Sequence, residues 1–127
     1  MATQMTSRPM SGQMQRCIDE CSHCHAHCLS TVQYCLEQGG RHAEANHIRL
    51  MLDCAEICQT SANFMIRGSN LHTRTCAVCA EVCEQCAQDC DQFGDDQMMR
   101  SCAEACRSCA ASCQEMAKPA QSGSCCG

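Results

Sequence analysis

Apolar and sulfur-bearing side chains recur every three or four residues along this chain, with polar and charged residues between them. Residues three and four apart share one face of an α-helix, so the pattern predicts amphipathic helices. Most of the recurring positions are cysteines, in four runs: Cys17, Cys21, Cys24, Cys28 and Cys35; Cys54 and Cys58; Cys76, Cys79, Cys83, Cys86 and Cys90; and Cys102, Cys106, Cys109 and Cys113. Each run predicts a stripe of thiols on the inward face of a helix.

Glycine, proline and capping residues divide the chain into four helices. We predict an N-terminal extension over residues 1–12, a bundle over 13–118 and a C-terminal tail over 119–127. The helices are expected at about 13–38, 41–67, 70–92 and 95–117, with Ser69 or Asn70 capping the third and Asp95-Asp96 the fourth. Because the connections are short, consecutive helices should be antiparallel neighbours in an all-α, up-down four-helix bundle.

The composition explains what could fill the interior of such a bundle. The 127 residues include 18 Cys and 9 Met, but only 2 Phe and no Trp. Cysteine packs as a small hydrophobic side chain, and methionine fills irregular gaps. We therefore expect a core lined by cysteine instead of leucine.

Charge and hydropathy restrict the partners. The net charge of −5 disfavours binding to nucleic acid or to an anionic membrane surface. No apolar run approaches the length of a membrane span. The N-terminal residues Met1 to Pro9 have no apolar stretch typical of a secretory signal, so we expect a cytoplasmic protein.

So many cysteines in a short chain could also indicate a disulfide scaffold. Three features disfavour that interpretation: the absent export signal, the helical spacing of the cysteines, and the scarcity of turn residues. Neighbouring thiols on one helix also point in parallel directions, which does not suit the geometry of a disulfide. We therefore expect free thiols.

Extending each stripe by the same period adds methionine and histidine at its ends. The added residues are Met14 on the first helix, His47, Met51 and Met65 on the second, His72 on the third, and Met99 and Met116 on the fourth. In an antiparallel bundle, Met14, Met65, His72 and Met116 should gather at one end, and His47, Met51 and Met99 toward the other.

Thiolate, thioether and imidazole together are the ligands of a soft metal, with Cu(I), Zn(II) and iron–sulfur clusters as the choices. A linear thiolate pair needs sulfurs about 4.5 Å apart, twice a metal–thiolate bond. Cβ atoms at i and i+4 on a helix lie ~5–6 Å apart, so one CxxxC pair can bind such an ion. Zinc prefers closed tetrahedral sets, and the sequence contains no ferredoxin-type cluster motif. The pattern favours Cu(I).

The sixteen stripe cysteines are therefore the principal candidate ligands, with His72 as the first histidine candidate. A second set could be either ligands or merely gap-fillers and idle thiols: His47, Met14, Met51, Met65, Met99, Met116, and Cys125 and Cys126 in the tail. His23, His25 and His27 are expected on the surface and His42 in a loop. Acidic residues such as Asp89 are expected on solvated helix faces.

Two segments carry a resemblance to a known family. The run from Ile48 to Cys58 and the run from His72 to Cys90, with its repeated paired cysteines, resemble the bacterial copper storage proteins of the cytosolic, signal-less type. The similarity covers roughly residues 14–117. It implies a four-helix bundle that packs many Cu(I) ions along its interior, and a homotetramer of such bundles.

The resulting hypothesis is cytosolic storage and detoxification of several Cu(I) ions, without catalysis. Copper would arrive from a copper chaperone or a low-molecular-weight thiol. The alternatives are a zinc or soft-metal buffer, an iron–sulfur protein, or a thiol redox protein. A redox enzyme needs one activated, accessible thiol beside a resolving partner, and sixteen near-equivalent inward thiols do not provide it.

Overall fold

The computed structural model describes residues 11–118, which form four helices and contain no strand. Helix α1 spans Gly12–Gln38, α2 Ala45–Ile66, α3 His72–Asp91 and α4 Gln97–Ala117, with a short 3₁₀ helix at Gly40–Ala43. None of these helices is long and apolar enough to cross a bilayer. The predicted extension over 1–10 and tail over 119–127 lie outside the described residues.

The helices pack as neighbours in chain order. α1 contacts α2 and α4, and α3 contacts the same two helices. Short connections between them make consecutive helices antiparallel. The predicted all-α four-helix bundle is confirmed.

The second, third and fourth helices all begin later than the sequence suggested. The second was expected from residue 41, but Gly39 and Gly40 adopt positive φ angles of 71° and 55°, and α2 starts only at Ala45 after the 3₁₀ turn. The third was expected from residue 70 with a side-chain cap, but α3 starts at His72 and has none. Ser69 Oγ instead accepts a hydrogen bond from the Leu71 N–H, 3.1 Å away, and so stabilises the turn before the helix.

The fourth helix is capped by one of the two residues proposed for it. Asp96 accepts hydrogen bonds from the N–H groups of Met98 and Met99 at 3.0 and 3.2 Å. α4 therefore begins at Gln97, two positions after the expected residue 95. At the first helix, Ser11 Oγ accepts from the Met14 N–H at 3.0 Å, which satisfies one of the free donors of that terminus.

The core consists mainly of small side chains. Cysteines and alanines occupy most buried positions, and the largest fully buried side chains are those of Met51, Met65 and Met99. Small side chains on all four helices allow the backbones to approach closely, so that thiols from opposite helices meet on the bundle axis. The fold thus places one chemical group, the thiol, along the whole interior.

Candidate metal centre

All sixteen stripe cysteines are buried and free of disulfides. Their exposed fractions are 0–1%, so water has no direct access to the sulfurs. Every stripe faces inward because its period matches that of the helix that carries it. The predicted thiol-lined core is therefore present, and Cys125 and Cys126 lie outside the described residues.

Sulfur–sulfur contacts connect these thiols from one helix to the next. Near the start of α1, Cys113 lies 3.6 Å from Cys17 and 3.5 Å from Cys21. In the middle of the bundle, Cys83 lies 3.6 Å from both Cys54 and Cys58. Further contacts of 3.7–4.0 Å link these groups through Cys21–Cys109, Cys109–Cys58, Cys54–Cys106, Cys106–Cys28 and Cys28–Cys102. The result is an unbroken chain of sulfur atoms from Cys17 to Cys102.

Several sets of thiols converge closely enough to bind one ion. Within residues 11–118, four such groups have ligand atoms within 4.8 Å of one another: Cys21, Cys79, Cys109 and Cys113; Cys24, Cys58, Cys83 and Cys109; Cys24, Cys28, Cys54 and Cys106; and Cys17, Cys76 and Cys113. The groups overlap, because Cys24, Cys109 and Cys113 each belong to two of them. A metal array here must therefore share thiolates between ions.

The contacts also distribute protons unevenly among the thiols. Hydrogen bonding from Cys106 lowers the pKa of Cys24 well below its usual range. Hydrogen bonds to Cys102 and to Cys24 raise the pKa of Cys106. A thiolate at one position is stabilised by the S–H groups around it, which then hold their protons more firmly. Cys35 is different, because burial is the main cause that raises its pKa, to about 11.

One end of the bundle, here called the Met65 end, holds Met14, Met65, His72 and Met116. Met65 is 1% exposed, and its Sδ lies 3.8 Å from Cys76 Sγ, which Ser61 Oγ also contacts at 3.2 Å. Met14 and Met116 pack against the core and are partly buried. The half-buried His72 has its Nδ1 2.9 Å from the carbonyl oxygen of Ser69, so its own turn holds the ring.

The opposite end, here called the His47 end, brings together three different donor atoms. His47 is 4% exposed, and its Nε2 lies 3.4 Å from Cys35 Sγ. Cys35 Sγ lies 3.6 Å from Met99 Sδ. His47 Nδ1 is hydrogen-bonded to Asp89 of α3. Asp89 was expected on a solvated face. Its carboxylate is instead partly buried, because it bonds to His47 at the edge of the core.

An aromatic side chain covers the His47 end. Phe93 lies beside the rings of His47 and His42, with centroids 4.8 and 4.4 Å away, and Arg41 stacks over it at 4.9 Å. Asp96 accepts hydrogen bonds from the Tyr34 hydroxyl at 2.8 Å and from His42 at 2.9 Å. These contacts join the loop before α2 to the loop before α4.

None of the contacts described above involves Met51 or the three histidines of α1. Met51 is fully buried and belongs to the core. His25 is half-buried, with its Nδ1 2.8 Å from the Ala55 carbonyl, so it bridges α1 and α2 outside the thiol stripe. The rings of His23 and His27 pack edge to face, with their centroids 5.6 Å apart. Sequence reasoning missed the roles of Asp89 toward His47 and of Asp96 toward Tyr34 and His42, because these partners come from other segments of the chain.

Comparison with known proteins gives several relatives. The cysteine-rich protein YhjQ of Bacillus subtilis is 34% identical over 73 residues, which cover 58% of this chain and 68% of that protein. A structure of a Nitrosospira multiformis protein is 50% identical, with a TM-score of 0.78, and covers 83% of this chain and 94% of the other.

Two further structures are of copper storage proteins with copper bound. The Cu(I)-bound copper storage protein BsCsp3 is 34% identical, with a TM-score of 0.77, and the match covers 84% of this chain and 99% of that one. A cytosolic copper storage protein from Streptomyces lividans, with five coppers, is also 34% identical, at a TM-score of 0.72 over 83% of this chain and 92% of that one. The family model described as "Copper storage protein" matches residues 10–118, and this chain therefore belongs to the copper storage protein family.

Proposed function

We propose that this protein stores Cu(I) ions in the cytosol, held by thiolates along the axis of its bundle, and thereby limits copper toxicity. The observation that carries the proposal is the unbroken chain of buried sulfur contacts from Cys17 to Cys102. Thiolates select Cu(I) and can bridge two ions, so a continuous row of sulfurs suits a row of ions. Membership of the copper storage family supports the same function.

The overlap of the thiol groups favours copper over zinc. A structural zinc site is closed and tetrahedral, and four separate sites would require four separate ligand sets. Here Cys24, Cys109 and Cys113 would each have to serve two sites. Cu(I) accepts two or three thiolates and tolerates bridging, so it can use the whole row. The same absence of delimited ligand sets disfavours discrete iron–sulfur clusters.

Burial disfavours a thiol redox enzyme. Such an enzyme presents a reactive thiolate at an accessible position. The sixteen cysteines among residues 11–118 are 0–1% exposed. A protein with this interior is suited to hold metal ions and not to present a thiol to a substrate.

Titration with Cu(I) under anaerobic conditions tests the proposal. Competition against a Cu(I)-selective chelator should saturate near one ion per stripe cysteine, since each ion takes two thiolates and each thiolate bridges two ions. A parallel Zn(II) titration is the control. Saturation at three or four ions per chain, or a higher affinity for Zn(II) than for Cu(I), would overturn the proposal in favour of a zinc buffer.

We further propose that the chain forms a homotetramer and receives copper from a chaperone or a low-molecular-weight thiol. Large apolar side chains remain exposed on the outer faces, at Leu29, Leu36, Leu52, Ile66, Leu71 and Val78. Their burial between bundles would remove apolar surface from water. Light scattering of the full chain measures the mass, and a monomer at micromolar concentration would contradict the tetramer.

A further inference from the structure

Three donors of different chemistry meet at the His47 end. Cys35 Sγ contacts His47 Nε2 at 3.4 Å and Met99 Sδ at 3.6 Å. We propose that Cys35, His47 and Met99 form a separate site for a single Cu(I) ion, with Asp89 as the positioning residue of His47. The inference rests on the proposed function and deepens it, because this site differs from the chain of thiols that runs from Cys17 to Cys102, here called the thiolate row.

The distances suit an ion bound between the three atoms. Metal–sulfur bonds of about 2.3 Å and metal–nitrogen bonds of about 2.0 Å at trigonal angles separate ligand atoms by ~3.7–4.0 Å. The contacts at Cys35 are shorter than these values by a few tenths of an ångström. Small side-chain rotations could therefore admit the ion without a change in the helices.

Asp89 determines which nitrogen of His47 is available. A carboxylate can only accept hydrogen bonds, so the Nδ1 atom that contacts Asp89 must carry the proton. Nε2 then has a free lone pair, which is directed at Cys35 Sγ. Before copper binds, the single S–H of Cys35 can donate either to this lone pair or to Met99 Sδ, and an ion would replace that proton. A carboxylate behind a ligating imidazole is a common device for fixing its tautomer.

The site differs from the thiolate row in charge. Cys35 belongs to none of the four converging groups of thiols, whose members share bridging positions. One thiolate, one neutral imidazole and one thioether balance the charge of one Cu(I) ion, which suits a buried position. Because it has a single anionic ligand, the ion there should be held less tightly than those among several thiolates.

Nuclear magnetic resonance of the histidine side chains tests the site directly, because Cu(I) is diamagnetic. In the metal-free, reduced full chain, the ¹⁵N shifts of His47 should report a proton on Nδ1. Stepwise addition of Cu(I), buffered by bathocuproine disulfonate, should move the cysteine Cβ resonances of the row first and the His47 Nε2 resonance last. His47 Nε2 unchanged at saturation would overturn the site.

Two variants separate the role of Asp89 from general effects on the fold. Asp89→Asn removes the obligatory acceptor, so His47 should populate both tautomers, and its affinity for Cu(I) should fall about 10–100-fold. Asp91→Asn is the matched control, because Asp91 lies on the same helix in an exposed ion pair with Arg107. If the two variants show the same tautomer populations of His47 and the same affinity of His47 for Cu(I), Asp89 has no positioning role.

A third variant tests the thioether. Met99→Leu keeps a buried apolar side chain of similar volume, and it should weaken the His47 site while the row fills as before. An unchanged affinity at His47 would remove Met99 from the site. If neither the cysteine nor the histidine resonances respond to Cu(I), the proposed function itself fails. A response of the cysteines alone leaves the storage function intact and overturns only the His47 site.

Discussion

The two ends of the bundle use the same residue types but differ in what surrounds them. At the His47 end, Asp89 holds the histidine from another helix, and Phe93 covers it. At the Met65 end, the histidine is half-buried and is held by the carbonyl oxygen of Ser69 in its own turn. The histidine of one end is therefore held by a distant segment, whereas the histidine of the other is held within its own turn.

This difference indicates a direction for copper. Segments that are held only by local contacts open more readily than segments tied together across the fold. Thioether and imidazole ligands also bind Cu(I) less strongly than anionic thiolates, so ions can pass through them into the row. We therefore expect copper to enter at the Met65 end and to stop at the His47 end.

The largest expected effect is on the rate of uptake. Replacing Met65, His72 and Met116 together with Leu removes the soft ligands of the Met65 end but keeps its apolar bulk. Uptake from a Cu(I)–glutathione complex, followed by ultraviolet absorption in stopped flow, should slow several-fold, while the final capacity stays nearly constant. Met99→Leu, the same kind of substitution at the other end, should leave the rate unchanged. A triple variant that loads as fast as the parent would show that these residues only plug the bundle.

Opening the His47 end should make the rate of copper uptake depend less on the Met65 end. Phe93→Ala removes the ring that lies beside His42 and His47. Combined with the triple Leu substitution, it should restore part of the lost uptake rate, because a second route becomes available. The variant should cost less stability than the ~3–5 kcal/mol of a fully buried Phe→Ala change, since Phe93 is only half-buried. No recovery of the rate would mean that Phe93 is not the barrier.

The smallest expected effect is on the stability of the metal-free protein. Asp96 caps α4 and also bonds Tyr34 and His42. Asp96→Ala should lower the free energy of unfolding by about 1 kcal/mol from the lost cap alone, and the other two bonds should add to this. Urea denaturation followed by circular dichroism measures the change. Asp95→Ala, at an exposed neighbour, should have little effect, and equal losses in both variants would contradict the role of Asp96.

Helix periodicity, together with glycine and proline at the breaks, was enough to predict the four helices and their inward faces. A residue three or four positions from a buried cysteine lies on the same face of the helix. The sixteen stripe cysteines and the methionines Met51, Met65 and Met99 could therefore be assigned to the core from spacing. Helix starts were less well predicted, because glycine permits many backbone conformations, and spacing alone does not show that Gly39 and Gly40 adopt positive φ angles.

Only the tertiary structure decided which side chains meet. Cys17 contacts Cys113, and Tyr34 contacts Asp96, across long stretches of sequence. Such pairs depend on the rotation and height of each helix relative to its neighbours, which a repeat along one helix does not specify. The sequence ranked His72 first among the histidines because His72 continues a cysteine stripe. It could not show that the packing of α3 against α2 places Asp89 beside His47. Spacing along a helix determines which face a residue occupies, whereas contact between helices determines its partner.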